Sequence, residues 1–155
     1  MNMKKKLVNY IKKEFDYMIE VNNRYFYVNQ EASMIVEGDE KIALQEKRFD
    51  IIKIVNREIN LDRKFVEFPS PNEIKENIRN LVGRKLDKIG YGNGNISINA
   101  RYLYKALEAF GAKGGYVCSH RDPIIIFEND DPTSTNYVII FPVISNSVGY
   151  WVIDK

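Results

Sequence analysis

The sequence has very few of the residues that cross-link small proteins or bind metals in them. Of its 155 residues, one is a cysteine, Cys118, and one is a histidine, His120. Neither an internal disulfide nor a Cys/His zinc site can be assembled from such a chain. We therefore expect a protein of a reducing compartment that uses no metal and no cofactor.

Long apolar runs are also missing. No stretch approaches the ~18 apolar residues that a membrane span requires. The basic N-terminus is interrupted by Lys12, Lys13 and Glu14 where a secretory signal would be apolar. We expect a cytoplasmic protein without a membrane partner, folded as a single domain over residues 1–155, because 45% hydrophobic and 28% charged residues are typical of one globular unit.

The N-terminal half predicts one helix followed by strands. Apolar residues from Val8 to Ile19 recur at helical spacing, which predicts an amphipathic helix over residues 3–19. Residues 24–55 then have strand character, with Gly38 and Asp39 at the turn of a hairpin and RFDIIKIV as a further strand. An antiparallel meander is the expected result.

Two helix starts are well marked in the second half. Ser70, Pro71 and Glu73 form a capping box with proline at the first helical position. In NISINARYLYKALEAFG the strand pattern passes directly into a helical one, so Asn99 is expected to end the strand and cap the helix, which Gly111 then ends. The segments GYVCS, PIIIFE, NYVIIFPVI and VGYWVID predict four more strands. Helix followed by meander occurs in both halves, which leaves open that they are related.

Residues 90–144 resemble the end of the bacterial sliding clamp, the β subunit of DNA polymerase III. The resemblance is carried by ISINARYLYKALEAFG, by YVCSHRDPIIIF with its Asp122-Pro123 turn, and by YVIIFPVI with Phe141-Pro142. It implies an α+β fold built like one sliding-clamp domain, with antiparallel sheets and helices packed on one face. It also implies a protein of DNA replication that is not an enzyme.

The resemblance further implies a pocket that binds a short peptide motif of replication or repair proteins. By position, the pocket residues are Asn99, Tyr102, Ile124, Ile139, Phe141 and Val143. A bacterial clamp subunit has three such domains, whereas this chain has length for one. Encircling DNA would therefore require a homo-oligomer.

Duplex DNA is a further candidate partner, since clamp helices line a DNA-sized hole and cations there would neutralise phosphates. The net charge of +2 is too small to argue for this by itself, and an ordinary solvated helix surface is the alternative. The candidate DNA-facing residues are Lys5, Lys12, Lys13, Lys75, Arg79, Arg101 and Lys105. A second hypothesis is a small phage or mobile-element accessory protein that acts as a protein-interaction scaffold without binding DNA.

Two other kinds of site are less well supported. Cys118, His120 and Asp122 suggest a nucleophile, a base and an orienting group, but Asp122 precedes a proline at a turn and so leaves the shared strand face. The aromatic residues at 25–27 and at 150–151 suggest a stacking platform for single strands, a peptide-docking surface or ordinary strand packing. We favour packing.

Overall fold

Short segments of apolar and β-branched residues form most of the strands. The computed structural model describes residues 4–80, 88–91, 96–118, 123–142 and 150–153. The elements, in chain order, are α1 Lys5–Glu14, β1 Tyr17–Val21, β2 Arg24–Val28, β3 Met34–Gly38, β4 Gln45–Glu46, α2 Ile51–Ile59, β5 Lys64–Glu67, α3 Pro71–Asn80, β6 Lys88–Tyr91, β7 Ile96–Asn99, α4 Ala100–Phe110, β8 Gly114–Val117, β9 Ile124–Phe127, a short 3₁₀ turn Glu128–Asp130, β10 Tyr137–Ile140 and β11 Tyr150–Ile153.

The strands form two sheets. The larger has eight strands in the order β4-β1-β2-β3-β10-β9-β8-β5, and the smaller has three in the order β11-β6-β7. All neighbours in the large sheet are antiparallel except β4, which runs parallel to β1 over two residues. The fold is thus mixed α+β with a mostly antiparallel sheet. None of the helices within the described ranges is long and apolar enough to cross a bilayer.

Both faces of the large sheet are covered. Along β10, Val138 and Ile140 belong to a core cluster that also contains residues of α1, α3 and α4, whereas Tyr137 and Ile139 belong to a second cluster with Ile51 of α2. Successive strand residues point to opposite faces, so one run of apolar residues supplies both cores. We call these the helical face and the α2 face. Each fully buried Val, Ile, Leu or Phe side chain stabilises the fold by about 1.5–3 kcal/mol.

The structure contains the same order of elements twice. A helix followed by a three-stranded antiparallel meander occurs as α1-β1-β2-β3 and again as α4-β8-β9-β10. The last strands of the two units, β3 and β10, pair antiparallel at the centre of the sheet, with Val36 opposite Val138. The helices α1 and α4 contact each other on the helical face. The two halves of the chain therefore share an architecture, which the sequence had left open.

The predicted helix caps are confirmed. The Ser70 hydroxyl accepts a hydrogen bond from the Glu73 backbone N–H at 3.2 Å, and the Glu73 carboxylate accepts one from the Ser70 N–H at 3.4 Å. The Asn99 side-chain oxygen accepts from the Tyr102 N–H at 3.0 Å, directly where β7 ends and α4 begins. Gly111 ends α4 with φ of 59°, the left-handed conformation that glycine adopts at low cost. The four predicted C-terminal strands are present as β8 to β11.

Three predictions for the N-terminal half are wrong, and two of them concern the end of the first helix and the hairpin. The first helix ends at Glu14 and not at residue 19, because Met18 and Ile19 alternate in β1 and enter different cores. The hairpin at Gly38 is absent, since the run that follows it supplies only β4, which pairs with β1.

The expected strand RFDIIKIV is largely helix α2, which buries Ile51, Val55 and Glu58 at helical spacing. Short runs of β-branched residues fit both patterns. Since α2 packs on the face opposite to the other three described helices, the expectation that helices share one face is corrected as well.

Candidate nucleic-acid interface

Helix α1 concentrates positive charge on the helical face. Its buried residues Leu7, Tyr10 and Ile11 follow helical spacing, which directs the remaining side chains to solvent. Between residues 4 and 14 there are five lysines and one glutamate, a formal charge of +4, whereas the whole chain carries only +2. The rest of the chain is therefore net negative, and α1 is a local cationic surface. These exposed lysines are Lys4, Lys5, Lys6, Lys12 and Lys13.

The predicted DNA-facing cations outside α1 are mostly held in ion pairs. Glu14 accepts a hydrogen bond from the Lys105 ammonium at 3.1 Å and lies 3.6 Å from Arg101. The Lys75 ammonium lies 2.8 Å from the carboxylate of Glu108. Their charges are locally balanced, which weakens them as phosphate contacts.

Lys5, Lys12 and Lys13 differ from these cations. All three are exposed, and within the part of the chain that the structure describes they form no ion pair. Arg79 belongs to α3, and its side chain lies outside the described residues. Among the predicted DNA-facing residues whose side chains the structure describes, the cations free to contact phosphates are therefore Lys5, Lys12 and Lys13 of α1. Lys12 and Lys13 also lie in the last turn, where the helix dipole favours cations.

Residues of both α1 and α4 line a cleft of about 390 Å³. Sequence reasoning missed Asn9 in its wall, although Lys6, Asn9 and Lys13 follow the i, i+3, i+7 spacing of one helix face. The signal was present in α1, but the helix that lies beside it was not evident. The cleft is lined by Lys6, Asn9, Tyr10, Lys13 and Glu14 of α1 and by Lys105, Glu108 and Ala109 of α4.

The floor of this cleft is uncharged. The Tyr10 hydroxyl donates to the Met34 sulfur at 3.8 Å, which directs it toward the core. Burial, followed by the nearby Glu14 carboxylate, raises the pKa of Tyr10 well above its ordinary value. Tyr10 therefore adds no negative charge against which an anion in the cleft would be repelled.

The predicted peptide pocket is not assembled by the described residues. Asn99 caps α4, Tyr102 packs half-buried against the core of the helical face, and Ile124 is fully buried in that core. Ile139 and Phe141 belong to the cluster on the α2 face. The eight-stranded sheet separates the two groups because alternate strand residues point to opposite faces. Val143 lies outside the described residues.

Aromatic rings of β5, β8, β9 and β10 pack against one another. Ring centroids are 5.2 Å apart for Phe65 and Tyr116, 5.4 Å for Tyr116 and Phe127, and 5.6 Å for Phe127 and Tyr137. The first two contacts are edge-to-face, whereas base stacking requires exposed flat faces.

In the 25–27 segment, Phe26 and Tyr27 are fully buried on opposite faces, which confirms packing for these two residues. The side chains of Tyr150 and Trp151 lie outside the described part of the structure.

Of the suggested catalytic group, the structure describes Cys118. Cys118 is half-buried directly after β8, and His120 and Asp122 lie outside the described residues. Within the described ranges no three His, Cys, Asp or Glu side chains form a cluster that could hold a metal ion.

The fold and the charges together define a mixed α+β module whose helical face carries a cationic helix and an adjoining cleft. No protein-family model, no curated protein and no solved structure matches this chain.

Proposed function

We propose that the protein is a non-catalytic binding module of DNA metabolism that contacts the backbone of duplex DNA through its helical face. The observation that carries this proposal is the formal charge of +4 on residues 4–14 in a chain of net charge +2. Such a surface releases counterions from phosphates and binds without reading base sequence.

The arrangement of α1 suits a repeating anionic surface. Lys5 and Lys12 are seven residues apart, as are Lys6 and Lys13, and two helical turns separate each pair by about 10.5 Å along the axis. Cations spaced in this way can contact several phosphates of one duplex, whose charges recur about every 3.4 Å along each strand.

The sliding-clamp resemblance adds support of a different kind. The feature of the fold that supports it is the repeated unit of a helix and three strands, with α1, α3 and α4 on one side of the sheet and α2 on the other. One chain of this size does not encircle DNA, so the proposal includes a homo-oligomer as the form that would slide. Replication or repair proteins are the proposed partners of such an assembly.

The test is duplex DNA binding measured by fluorescence anisotropy at several salt concentrations. One variant replaces Lys5, Lys6, Lys12 and Lys13 by glutamine. A matched control replaces four exposed cations elsewhere, Arg48, Lys53, Lys64 and Lys113, with the same change in net charge. The slope of log affinity against log salt is negative, and we expect its magnitude to decrease by roughly 0.9 per lost phosphate contact in the α1 variant only. Salt-independent binding, or equal losses in both variants, contradicts the proposal.

A second candidate function is the protein-interaction scaffold without DNA binding. Its supporting observation is Phe65, which is 41% exposed on strand β5 at the end of the sheet order. The Phe68 N–H donates to the carbonyl of Lys113, which directly precedes β8. Because hydrogen-bonding sides alternate along a strand, Phe65 and Glu67 of β5 direct their main-chain groups away from β8. Such an edge can accept an extended peptide. Absence of any DNA binding at low salt would favour this function.

A further inference from the structure

We infer that the cleft between α1 and α4 is a phosphate-binding site in which Lys6, Asn9 and Lys13 hold the anion. This inference rests on the proposed function and assigns its principal contact to a particular group of residues. The cleft, at about 390 Å³, falls within the volume range of small-ligand sites in proteins.

The three residues form one stripe of α1. Lys6, Asn9 and Lys13 lie at i, i+3 and i+7, and all three line the cleft. The stripe is held in place because Leu7 and Ile11 beside it are fully buried. Asn9 therefore lies between the two lysines along the helix axis, and its amide offers N–H donors to an anion in the cleft.

The acidic residues of the cleft are already engaged. Glu14 pairs with Lys105 at 3.1 Å and with Arg101 at 3.6 Å, and Glu108 pairs with Lys75 at 2.8 Å. Three cations therefore offset two carboxylates.

Lys6 and Lys13 add two positive charges for which the described residues provide no ion-pair partner. The cleft is consequently electropositive despite the glutamates in its wall.

A phosphate group is the ligand that this chemistry recognises. Lysine binds phosphate as a compact point charge, and a side-chain amide donates hydrogen bonds to phosphate oxygens. The phosphate can belong to a duplex backbone or to a free polyphosphate, and both present the same tetrahedral oxyanion. The proposed function makes the duplex backbone the expected source.

Helix α1 offers a matched control for this site. Lys6→Gln with Lys13→Gln removes the two cleft lysines, and Lys5→Gln with Lys12→Gln removes two lysines of the same helix with the same spacing and charge change. Lys5 and Lys12 are not among the residues that line the cleft. Duplex DNA affinity is measured by anisotropy against salt. The side-chain amide NMR signals of Asn9 are followed during titration with the duplex and, separately, with inorganic triphosphate.

In the Lys6→Gln, Lys13→Gln variant we expect the magnitude of the salt slope to decrease by roughly 1.8, since each lost phosphate contact decreases it by about 0.9. In the control variant, Lys5→Gln with Lys12→Gln, the magnitude of the slope should decrease by less than half as much. The Asn9 signals should shift with both anions in the wild type and not in the Lys6→Gln, Lys13→Gln variant.

The alternative outcomes separate this inference from the proposed function. If the duplex binds but both pairs weaken it equally, or the Asn9 signals do not move, the cleft site is wrong and the cationic surface stands. If the duplex does not bind but triphosphate shifts the Asn9 signals in a Lys6- and Lys13-dependent manner, the phosphate site stands and the DNA-binding function is wrong. If neither anion has an effect, both are overturned.

Discussion

Glu14 of α1 and Lys105 of α4 form an ion pair of 3.1 Å that links the helices of the two repeated units. The Glu14 side chain is only 11% exposed, and it also lies 3.6 Å from Arg101. This carboxylate therefore holds two of the cations that the sequence assigned to DNA.

Removal of this carboxylate is expected to strengthen DNA binding. Glu14→Gln frees Lys105 and Arg101 and raises the net charge by one, so duplex affinity at low salt should increase. Stability should fall by about 1 kcal/mol or less, because the lysine and arginine remain partly solvated. Anisotropy and urea unfolding measure the two effects. The control with equal charge change is Glu76→Gln, at an exposed position of α3. An equal gain in DNA affinity in that variant would argue against a specific role for Glu14.

The cap of α4 is expected to be worth a measurable part of the stability. Asn99→Ala removes the side-chain acceptor of the Tyr102 N–H and should cost about 0.5–2 kcal/mol in urea unfolding. Asn99→Asp keeps an acceptor at the same place and should retain most of the stability. Equal losses in the two variants would show that the hydrogen bond is not the cause.

Substitution of Arg63 is expected to lower the free energy of unfolding more than substitution of most other polar residues. Its side chain is 6% exposed, pairs with the 3% exposed Glu58 at 2.9 Å, and donates to the Pro123 carbonyl at 2.6 Å. Arg63→Met removes this ion pair together with the hydrogen bonds that Arg63 donates to the carbonyls of Glu58, Tyr116 and Pro123, and should destabilise the protein by about 3–5 kcal/mol. The chain offers a matched control in Arg57→Met, because Arg57 approaches the same carboxylate at 3.6 Å while 75% exposed. Urea unfolding should show a change of about 0.5 kcal/mol or less for that variant.

Stability is expected to decline at alkaline pH through Tyr27. Burial raises its pKa from 10.0 to about 12, against an opposing effect of the Ile42 backbone hydrogen bond. A raised folded-state pKa contributes stability that is complete below pH 10 and is lost as the pH rises through about 12. Burial also raises the pKa of Tyr10 and Tyr137, which acts in the same direction.

The measurement is urea unfolding at several pH values from 7 to 12. Tyr27→Phe should be less stable than wild type at pH 7, since it loses the bond to the Glu40 carbonyl and the one from the Ile42 N–H. Between pH 10 and 12 the variant should lose less unfolding free energy than wild type does. The difference is at most about 1.4 kcal/mol per pH unit, which is the limit for the titration of one proton. Parallel pH curves for the two proteins would exclude Tyr27 as a source.

Local signals of the sequence were sufficient where one residue determines a backbone conformation. Ser70, Asn99 and Gly111 each act through contacts within a few residues, and each was predicted correctly. Helix α2 was missed because Ile51 to Val55 suits a strand as well as a helix, and the sheet face that it covers is built by distant residues. The available helical signal was the spacing of Ile51 and Val55, which are four residues apart and lie on one helix face.

The site was less predictable than the fold. Tyr102 and Phe141 were grouped by position, but the register of β10 places Phe141 with the α2-face cluster, and a register involves partners far away in sequence. Likewise, Lys75 and Lys105 were expected to be available cations, and their glutamate partners lie 33 and 91 residues away. Among the predicted cations whose side chains the structure describes, those of α1 are the ones that remain exposed and outside ion pairs, as the sequence indicated.

The central pairing of β3 with β10 also has a consequence for biosynthesis. The Tyr137 hydroxyl donates a hydrogen bond to Glu37 across a separation of 100 residues, so this contact waits until β10 has emerged from the ribosome. Until then the nascent first unit presents Met34, Ile35 and Val36 on an open strand edge, the kind of surface through which incomplete chains associate. We expect refolding to be slow for the size of the protein, since a long loop must close before the middle of the sheet exists.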